Sequence, residues 1–546
     1  MSALNTGSNS KLPSNLTKDL SGNNRVYNGV IDLGAYEFTS GVRTSTAWTG
    51  ATDNNWGLPS NWNNGAPTNT LDAFIFNGAT NYPVISNSAN AKDITIENSA
   101  NLTIESDVNS YGSLKVTNSV TGKATYKSYI SDKWNLIGSP VVGQEIASFV
   151  TNSSLVSGTV NPNHKGLGIY ENGNVAPWTY YKNTLSWGNF DTAKAYAIKK
   201  TTAGTVDFRG TITTDNVQYT ATGNANNTFE MIANPYTAYL NANSGANSIL
   251  SENSSNLKNT NAVLYFWNDT TRSYDVISNS DSSSRLKPGQ GFFVQMATTN
   301  GVVNFTPAML SHQQSVASRT ANQTSVALTI FDENTSKTTK IKYLSKTNDG
   351  LDVGYDAGYF DGGQAKVGVY TKLVDGSYAD TDFMLQCVNN EKISATIIPV
   401  GIKTSEAREI VFSAKAMNLP ENLNVYLEDK ENNKVTELSN GGEYKATVSG
   451  GSGRFYVHTK TSSNLNPDTI VLKSKLSVYK ADNSLVISGL EEKATVVLYN
   501  MIGKQVFTQE IQNTTKTVVL PSLASGIYIV KVQSGATQIS KKISIQ

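Results

Sequence analysis

Short runs of β-branched and aromatic residues, each bounded by turn residues, constrain the fold of this chain most. They are densest in residues 475–546, where Gly, Asn, Ser or Pro separates one run from the next. Runs of this length with such separators predict β-strands, because a helix needs a longer amphipathic stretch. Several such strands in so short a stretch predict a compact β-sandwich with an Ig-like arrangement. The runs begin at Val478, Leu485, Val496, Val518 and Ile527.

Four segments of this C-terminal region carry a family resemblance. They are residues 476–479 (Leu-Ser-Val-Tyr), 498–504 (Leu-Tyr-Asn-Met-Ile-Gly-Lys), 523–532 (Leu-Ala-Ser-Gly-Ile-Tyr-Ile-Val-Lys-Val) and 541–545 (Lys-Lys-Ile-Ser-Ile). Together they resemble the type A-like C-terminal sorting domain of type IX secretion cargo in Bacteroidetes. The first segment departs from the family, since Lys480-Ala481-Asp482 stands where Pro-Asn-Pro is usual. An ordinary terminal Ig-like domain is the alternative.

The resemblance implies a route and a set of address residues. It implies export across the outer membrane by the type IX translocon and sorting machinery, removal of the tail, and then release or attachment to the cell surface. The residues expected to shape the module are Gly503, Lys504, Gly526, Tyr528, Lys541 and Lys542. We expect the two glycines to serve turns, Tyr528 to be in the core and the lysines to be exposed. An unpaired strand edge is the expected recognition surface.

Length and charge limit the remaining possibilities. A chain of 546 residues is too long for one core, so several domains are expected. Lys and Arg (44) balance Asp and Glu (43), which argues against a nucleic-acid partner. The single cysteine, Cys387, excludes an internal disulfide framework, and its apolar neighbours predict a buried thiol. No apolar run is long enough to form a transmembrane segment.

The predicted fold class is all-β, with several β-sandwich or Ig-like domains in tandem. The predicted parts are residues 1–40, 41–125, 126–315, a linker at 316–324, 325–465 and a sorting domain at 473–546. Residues 28–38 are similar to the last coil of a parallel β-helix, so 1–40 is interpreted as a β-helix-like remnant. Because the polar start holds no signal peptide, we expect the chain to be a mature form or the C-terminal part of a longer protein.

Three tryptophans open the second part of the chain. Trp48, Trp56 and Trp62 stand in a Trp-Thr-Gly…Asn-Trp…Asn-Trp pattern that resembles a module of adhesin-type surface proteins. Short strands here predict a β-sandwich or a short β-solenoid. The indoles either stack on sugar rings as carbohydrate contacts or cover a core that has few other large residues, and the core interpretation is favoured.

An internal repeat occupies residues 126–315. Residues 133–140 (Lys-Trp-Asn-Leu-Ile-Gly-Ser-Pro) correspond to 228–235 (Thr-Phe-Glu-Met-Ile-Ala-Asn-Pro), and 195–208 correspond to 291–305. Two copies of one β unit are therefore predicted. Residues 287–291 (Lys-Pro-Gly-Gln-Gly) are interpreted as a turn that enters a strand, since this pattern is too weak to predict a phosphate site.

Few residues suggest chemistry. Asp349, Asp352, Asp356 and Asp361 crowd a Gly-rich stretch and form a weak calcium candidate, although aspartates are also ordinary turn residues. The three histidines lack zinc-site spacing, and no nucleophile motif occurs, so no cofactor and no enzyme activity are expected. Thr192 and Thr270 follow aspartates in a pattern that resembles Bacteroidetes O-glycosylation acceptors.

The sequence therefore predicts the non-catalytic C-terminal region of a secreted or cell-surface protein. Its expected location is the extracellular space or the outer-membrane surface of a Bacteroidetes bacterium, reached through the periplasm. An adhesion or display role is expected, with surface glycans or host and matrix molecules as further partners. The alternative is an accessory carbohydrate-binding region of a polysaccharide-degrading enzyme whose catalytic β-helix lies upstream.

Overall fold

The computed structural model describes most of the chain, and the fold is all-β. The described residues are 7–20, 24–26, 31–34, 44–172, 176–183, 186–223, 227–313, 323–332, 335–363, 366–461, 477–481, 484–488, 490, 492–512, 517–535 and 537–545. The chain divides into two compact units, Met1–Ala317 and Ser318–Gln546. This division falls within the stretch that the sequence predicts to be a linker.

The first unit begins with coils of parallel strands. Three parallel sheets run through them, in the orders β1-β2-β5-β8, β3-β6-β9 and β4-β7. Each coil adds one strand to each sheet, which defines a short three-sided β-solenoid. The strands are β1 (Ser45–Ala47), β2 (Asp72–Ile75), β3 (Val84–Ile85), β4 (Ser88–Ala91), β5 (Ile94–Ile96), β6 (Thr103–Glu105), β7 (Ser113–Val116), β8 (Val120–Thr121) and β9 (Ala124–Ile130).

The Trp-containing part of the chain lies within these coils. The solenoid alternative for the Trp-containing part is the one observed, and among the described residues its strands begin at Ser45. The β-helix-like interpretation of residues 28–38 stays a prediction. The described residues up to 34 include a 3₁₀ turn at Asn9–Lys11 and no strand, and most of the segment at 28–38 lies outside the described residues. The predicted boundary at 125 falls inside β9, whose alternate side chains Ala124, Tyr126 and Ile130 are buried.

Two copies of one β unit follow the solenoid. The first contains β10 (Asn135–Ile137), α1 (Ile146–Asn152), β11 (His164–Tyr170), β12 (Trp178–Lys182), β13 (Tyr196–Ile198) and β14 (Gly204–Gly210). The second contains β15 (Val217–Thr220), β16 (Phe229–Ala233), β17 (Tyr239–Asn241), α2 (Ile249–Glu252), β18 (Leu264–Asn268), β19 (Ser273–Ile277), β20 (Arg285–Leu286), β21 (Gly291–Gln295), β22 (Val302–Phe305) and β23 (Leu310–Ser311).

The two copies have the same topology. Their central sheets have the orders β10-β13-β11-β12 and β16-β21-β18-β19. In each sheet the strand that comes first in the chain pairs with the strand that comes last, and that last strand also pairs with one strand of the hairpin between them. The flanking strands also correspond, because β9 pairs with β14 and β15 pairs with β22. The second copy carries an additional small sheet of β20, β17 and β23. The sequence repeat is thus a structural repeat.

The copies meet around a local pseudo-twofold axis. The end of β10 bridges to the turn before β21, where Ile137 pairs with Gln290. The end of β16 makes the corresponding contact with the turn before β13, where Ile232 pairs with Lys194. Reciprocal pairing of this kind is the geometry of an isologous interface within one chain.

The second unit contains one large sheet and the C-terminal sandwich. The large sheet has the order β32-β31-β34-β29-β27-β28-β25-β24-β30-β33, with β26 on β28. Its end strands are joined by a 3₁₀ turn at Ser439–Gly441, so the sheet nearly closes on itself. The strands are β24 (Ser325–Phe331), β25 (Ser336–Leu344), β26 (Ala357–Gly358), β27 (Val367–Thr371), β28 (Phe383–Asn389), β29 (Ile397–Thr404), β30 (Arg408–Met417), β31 (Leu423–Asp429), β32 (Lys434–Glu437), β33 (Glu443–Val448) and β34 (Gly451–Thr461).

Cys387 lies in this large sheet. It is on β28, takes part in no disulfide and is fully buried, as the sequence predicts. Its sulfur contacts the backbone oxygen of Tyr355 at 3.5 Å. The thiol therefore behaves as a small core side chain.

The described residues of the C-terminal sandwich form seven strands. They are β35 (Ser477–Ala481), β36 (Ser484–Ser488), β37 (Ala494–Asn500), β38 (Gln505–Ile511), β39 (Thr517–Val519), β40 (Gly526–Ser534) and β41 (Thr537–Ile545). They form a sheet β35-β36-β39 and a sheet β38-β37-β40-β41.

Candidate functional site

The C-terminal sandwich has a core of its own. Alternate residues of its strands point inward, as in β37, where Ala494, Val496 and Leu498 are buried. The two sheets close over this interior with β-branched and aromatic side chains from every strand. The buried members are Val478, Leu485, Ile487, Ala494, Val496, Leu498, Ile511, Val518, Leu520, Tyr528, Val530, Val532, Ile543 and Ile545. A sandwich packed in this way can be handled as a separate module.

The turn between β37 and β38 requires a glycine. Gly503 has φ +79°, a left-handed conformation that side chains with a Cβ rarely adopt. Its backbone N–H donates to the Asn500 oxygen at 2.9 Å, and the Asn500 side chain accepts from the N–H of Lys504 at 2.9 Å. Gly503 therefore serves a turn, as predicted.

Gly526 has a different role from the predicted one. It is the first residue of β40, pairs with Ile545 and has no left-handed conformation. Tyr528, two residues later, is 7% exposed and donates its hydroxyl to the Ala524 oxygen at 2.8 Å. The prediction of a turn at Gly526 is wrong, because pairing with the last strand extends β40 back to this residue. Tyr528 is a core residue, as expected.

The address lysines lie at the surface and at the sheet edge. Lys504 and Lys541 are exposed, and Lys541 pairs through its backbone with Val530. Lys542 pairs with Ile529, and its side chain lies outside the described residues. Lys541 and Lys542 belong to β41, the edge strand of the larger sheet, which also contacts β35 of the other sheet. The opposite edge of the larger sheet is β38.

Exposed apolar side chains also cover part of this sandwich, and the sequence analysis missed them. Met501 and Ile502 at the β37–β38 turn are 65% and 86% exposed, and Ile527 and Ile529 on β40 are 38% and 41% exposed. Ile529 pairs with Tyr499, which immediately precedes the turn-forming Asn500. The period-two pattern of β40 predicts that Ile527 and Ile529 point outward. Only the structure shows that they lie next to the exposed Met501 and Ile502 at the β37–β38 turn. We call these four side chains the apolar face.

The three tryptophans of the first unit are core residues. Trp48, Trp56 and Trp62 are 5%, 3% and 4% exposed. The ring of Trp62 makes edge-to-face contacts with both others, at centroid distances of 5.0 and 4.8 Å. Trp62 donates its indole N–H to the Trp56 oxygen at 2.7 Å. A buried indole has no face for a sugar ring, so the structure argues against the carbohydrate-contact prediction.

These indoles cover the first coil of the solenoid. The backbone N–H of Trp48 donates to the Phe74 oxygen of β2, and that of Trp56 donates to the Val84 oxygen of β3. The first coil has no preceding coil in residues 44–130 to bury its interior, and the Trp segment supplies that cover.

The structure does not bring the four candidate calcium ligands together. Asp349 pairs with Lys392 at 2.7 Å, and Asp361 accepts the backbone N–H of Gly363. Asp352 accepts from Asn348, and fully buried Asp356 accepts the backbone N–H groups of Asp352 and Cys387, both at 2.7 Å. These carboxylates shape turns and loops, and no group of three metal-ligating side chains occurs among the described residues.

The glycosylation candidates are accessible. Thr192 is exposed in the turn before β13, and Thr270 is exposed in the turn between β18 and β19. The Asn268 side chain accepts the backbone N–H of Thr270 at 3.1 Å, which fixes the turn that carries this threonine. Modification of either residue stays a prediction.

The fold and the C-terminal module define a class of protein. Residues 481–546 match the family described as Secretion system C-terminal sorting domain. The chain is thus a cargo of the type IX secretion system, and such a tail implies a secreted or cell-surface protein that engages that machinery. No helix among the described residues has the length and apolar character to span a membrane.

The remainder of the chain belongs to a family without an assigned role. The chain is a member of the family described as Domain of unknown function (DUF8693), which matches residues 47–142 and 276–458, just over half of its length. These matches cover the solenoid with the start of the first repeat copy, and the end of the second copy with most of the large sheet. No curated protein matches the chain.

Proposed function

We propose that this chain is the non-catalytic display region of a Bacteroidetes surface or secreted protein, with adhesion as its role. The observation that carries the proposal is the sorting-domain match over a sandwich that has its own core. The upstream part consists of a solenoid, a duplicated β unit and a large sheet, an architecture suited to presenting surfaces. The candidate acids Asp349, Asp352, Asp356 and Asp361 are engaged in structural contacts, which supports a display role over catalysis.

The C-terminal sandwich is recognised by the sorting machinery through side chains and a strand edge that no other part of the sandwich covers. The apolar face places Met501 and Ile502 at a tip and Ile527 and Ile529 beside it. Transfer of such side chains from water to a partner surface is favourable by about 25 cal/mol per Å². Exposed apolar patches of this kind are typical of interaction sites. The apolar face, together with the backbone edge of β38, is the surface that the sorting machinery would contact.

Localisation in a host with a type IX pathway tests the address. The full chain, preceded by a signal peptide, is compared with a version that lacks residues 475–546, and intact masses are followed in medium, cell surface and periplasm. We expect the full chain at the surface or in the medium without its tail, and the truncated chain in the periplasm. Equal localisation of the two versions, with the tail retained, contradicts the proposal.

A point variant tests the apolar face itself. Met501→Ser with Ile502→Ser removes the exposed tip without touching the core, so export should fall while the purified protein keeps its melting temperature. Val519→Ser is the matched control, because Val519 is 67% exposed on the other sheet. Unchanged export of the tip variant shows that the machinery reads another surface, such as the strand edge.

A further inference from the structure

A cleft in the first unit lies where the two repeat copies meet. Its volume is about 280 Å³. The solenoid end, the start of the first copy and the second copy all contribute to it. The aromatic and basic side chains that line it include Tyr111, Tyr129, Trp134, Phe266, Trp267 and Lys287. The site is therefore concave and rich in aromatic rings.

The turn at residues 287–291 lines the cleft and is in close contact with the first copy. The N–H of Gly138 donates to the Gly289 oxygen at 2.8 Å. A Cβ on Gly289 would lie 2.7 Å from the Gly138 oxygen, and a Cβ on Gly291 would lie 2.7 Å from the Leu136 carbonyl carbon. Both glycines are thus required by close backbone approach, and the turn forms a preorganised base.

The walls are aromatic side chains that retain partial exposure. Tyr129, Trp134, Phe266 and Trp267 are each half-buried. The Trp134 ring packs on Tyr180 at a centroid distance of 5.7 Å, and the Trp267 ring packs on Tyr274 at 5.3 Å. These neighbours fix the orientation of the two indoles. Fixed, half-exposed rings around a cleft are suited to stacking on the apolar faces of sugar rings.

One cation borders the cleft. The Lys287 ammonium stands 4.1 Å from the centre of the Tyr111 ring, which is itself held by a hydrogen bond from its hydroxyl to the Tyr129 oxygen at 2.7 Å. Among the described residues, no carboxylate forms an ion pair with Lys287. The residue as a whole is exposed, but burial lowers the pKa of its amino group, so the ammonium is partly desolvated. An anionic group in the cleft would supply the charged partner that the ammonium lacks.

The pseudo-symmetry-related position in the other interface between the copies lacks both the half-exposed aromatic ring and the unpaired lysine. The turn at 191–195 corresponds to 287–291, and its Asp191 pairs with Lys194 at 3.3 Å. Phe229, which corresponds to Trp134, is only 9% exposed. Glu230 behind it is held by Asn172 and Tyr219 at 2.9 and 2.7 Å. Of the two related positions, the one bordered by Lys287 combines half-exposed rings with an unpaired cation.

We propose that this cleft binds a saccharide that carries a carboxylate, as in a glycan containing uronic acid. The rings of Trp134 and Trp267 stack on the sugar, and Lys287 pairs with its carboxylate. The inference deepens the proposed adhesion role and therefore rests on it. Binding is measured on the purified chain and export in cells, so either proposal can fail without the other.

Isothermal titration of the full chain with tetragalacturonate and with its neutral methyl ester tests the site. Lys287→Gln should weaken binding of the acid about tenfold and leave binding of the ester unchanged, since only the acid uses the cation. Trp134→Ala should weaken the binding of both the acid and the ester, since both would stack on this ring. The matched controls are Phe76→Ala, an exposed ring elsewhere on the solenoid, and Lys123→Gln, an exposed lysine. Thermal melting checks that each variant is folded.

Three outcomes overturn the proposal. One is the absence of wild-type binding to either probe at roughly millimolar concentration. Another is an equal loss of binding in the variants and their controls. The third is unchanged binding of the acid by a folded Lys287→Gln protein.

Discussion

Two buried aspartates of the large-sheet domain have opposite electrostatic surroundings. Asp356 accepts hydrogen bonds from two backbone N–H groups, and burial raises its pKa to about 7. Burial also raises the pKa of Asp429, but hydrogen bonds from Arg454, Tyr444 and Asn432 outweigh that effect and bring it well below its usual value. The difference shows that a cationic partner, more than burial, decides the charge of a carboxylate here.

Asp356 should make the second unit less stable as pH rises. Its pKa is raised in the folded state above the ordinary value of 3.8, so its stabilising contribution is complete below pH 3.8 and is lost as pH rises through 7. Between pH 5 and pH 8 the loss should be about 2–3 kcal/mol. Urea unfolding at several pH values measures this loss.

The matched variant is Asp356→Asn. It changes the overall stability, because an amide cannot accept both backbone N–H groups, but it removes the titration. The free energy of unfolding of the variant should therefore fall less steeply over this pH range than that of the unaltered chain. Parallel pH profiles for the two proteins would show that Asp356 is ionised throughout.

A single strand, β9, belongs both to the solenoid and to the first repeat copy, which the sequence predicts to be separate domains. β9 pairs in parallel with β6 of the solenoid and antiparallel with β14 of the first repeat copy. One strand thus completes the coils and begins the duplicated unit. No composition change marks this position, because the same inward alternation serves both neighbours.

Gly138, at the end of β10, is required by the pseudo-twofold contact. A Cβ there would lie 2.5 Å from the Cβ of Ala233, the corresponding residue of the second copy, and 2.6 Å from the Lys194 oxygen. Gly138→Ala should therefore lower the free energy of unfolding of the first unit by about 1–3 kcal/mol, since backbone must shift. Chemical denaturation of the purified protein provides the measurement.

Gly57→Ala is the control for that substitution. The nearest atom to its added Cβ is the Asn55 Oδ1 at 3.5 Å, an ordinary contact, and Gly57 has no left-handed conformation. The free energy of unfolding of the Gly57→Ala protein should therefore change little. Equal effects of the two substitutions would mean that the copies do not meet at Gly138.

At the scale of the whole molecule, the cores of the parts are separate. The core of the large sheet includes Val326, Ile341 and Val457, and it shares no member with the core of the C-terminal sandwich. The solenoid and first repeat copy form another core, and the second copy forms a further one. The sandwich can therefore be removed without taking a member from the other cores.

Deletion of residues 475–546 should therefore leave the remaining domains folded. In calorimetry one transition should disappear, and the others should shift by less than about 2 °C, because the other domains share no core residue with the sandwich and should lose no more than about 1 kcal/mol. Loss or strong lowering of the remaining transitions would show that the sandwich supports the large sheet.

The sequence by itself determined features that depend on local pattern. Alternation with a period of two residues and turn residues between runs indicated the strands, the all-β class and the C-terminal sandwich. Self-similarity indicated the duplicated unit, and apolar neighbours indicated the buried thiol of Cys387. Each of these follows from residues close together in the chain, so no partner strand had to be known.

Only the tertiary structure decided which segments meet. Parallel pairing made residues 45–130 a solenoid, pairing with Ile545 placed Gly526 in a strand, and packing on the first coil buried Trp48, Trp56 and Trp62. The cleft beside Lys287 and the apolar face also arise from residues far apart in sequence. Strand pairing and exposure depend on these distant partners, and the period-two pattern of a strand is the same whichever neighbour it has.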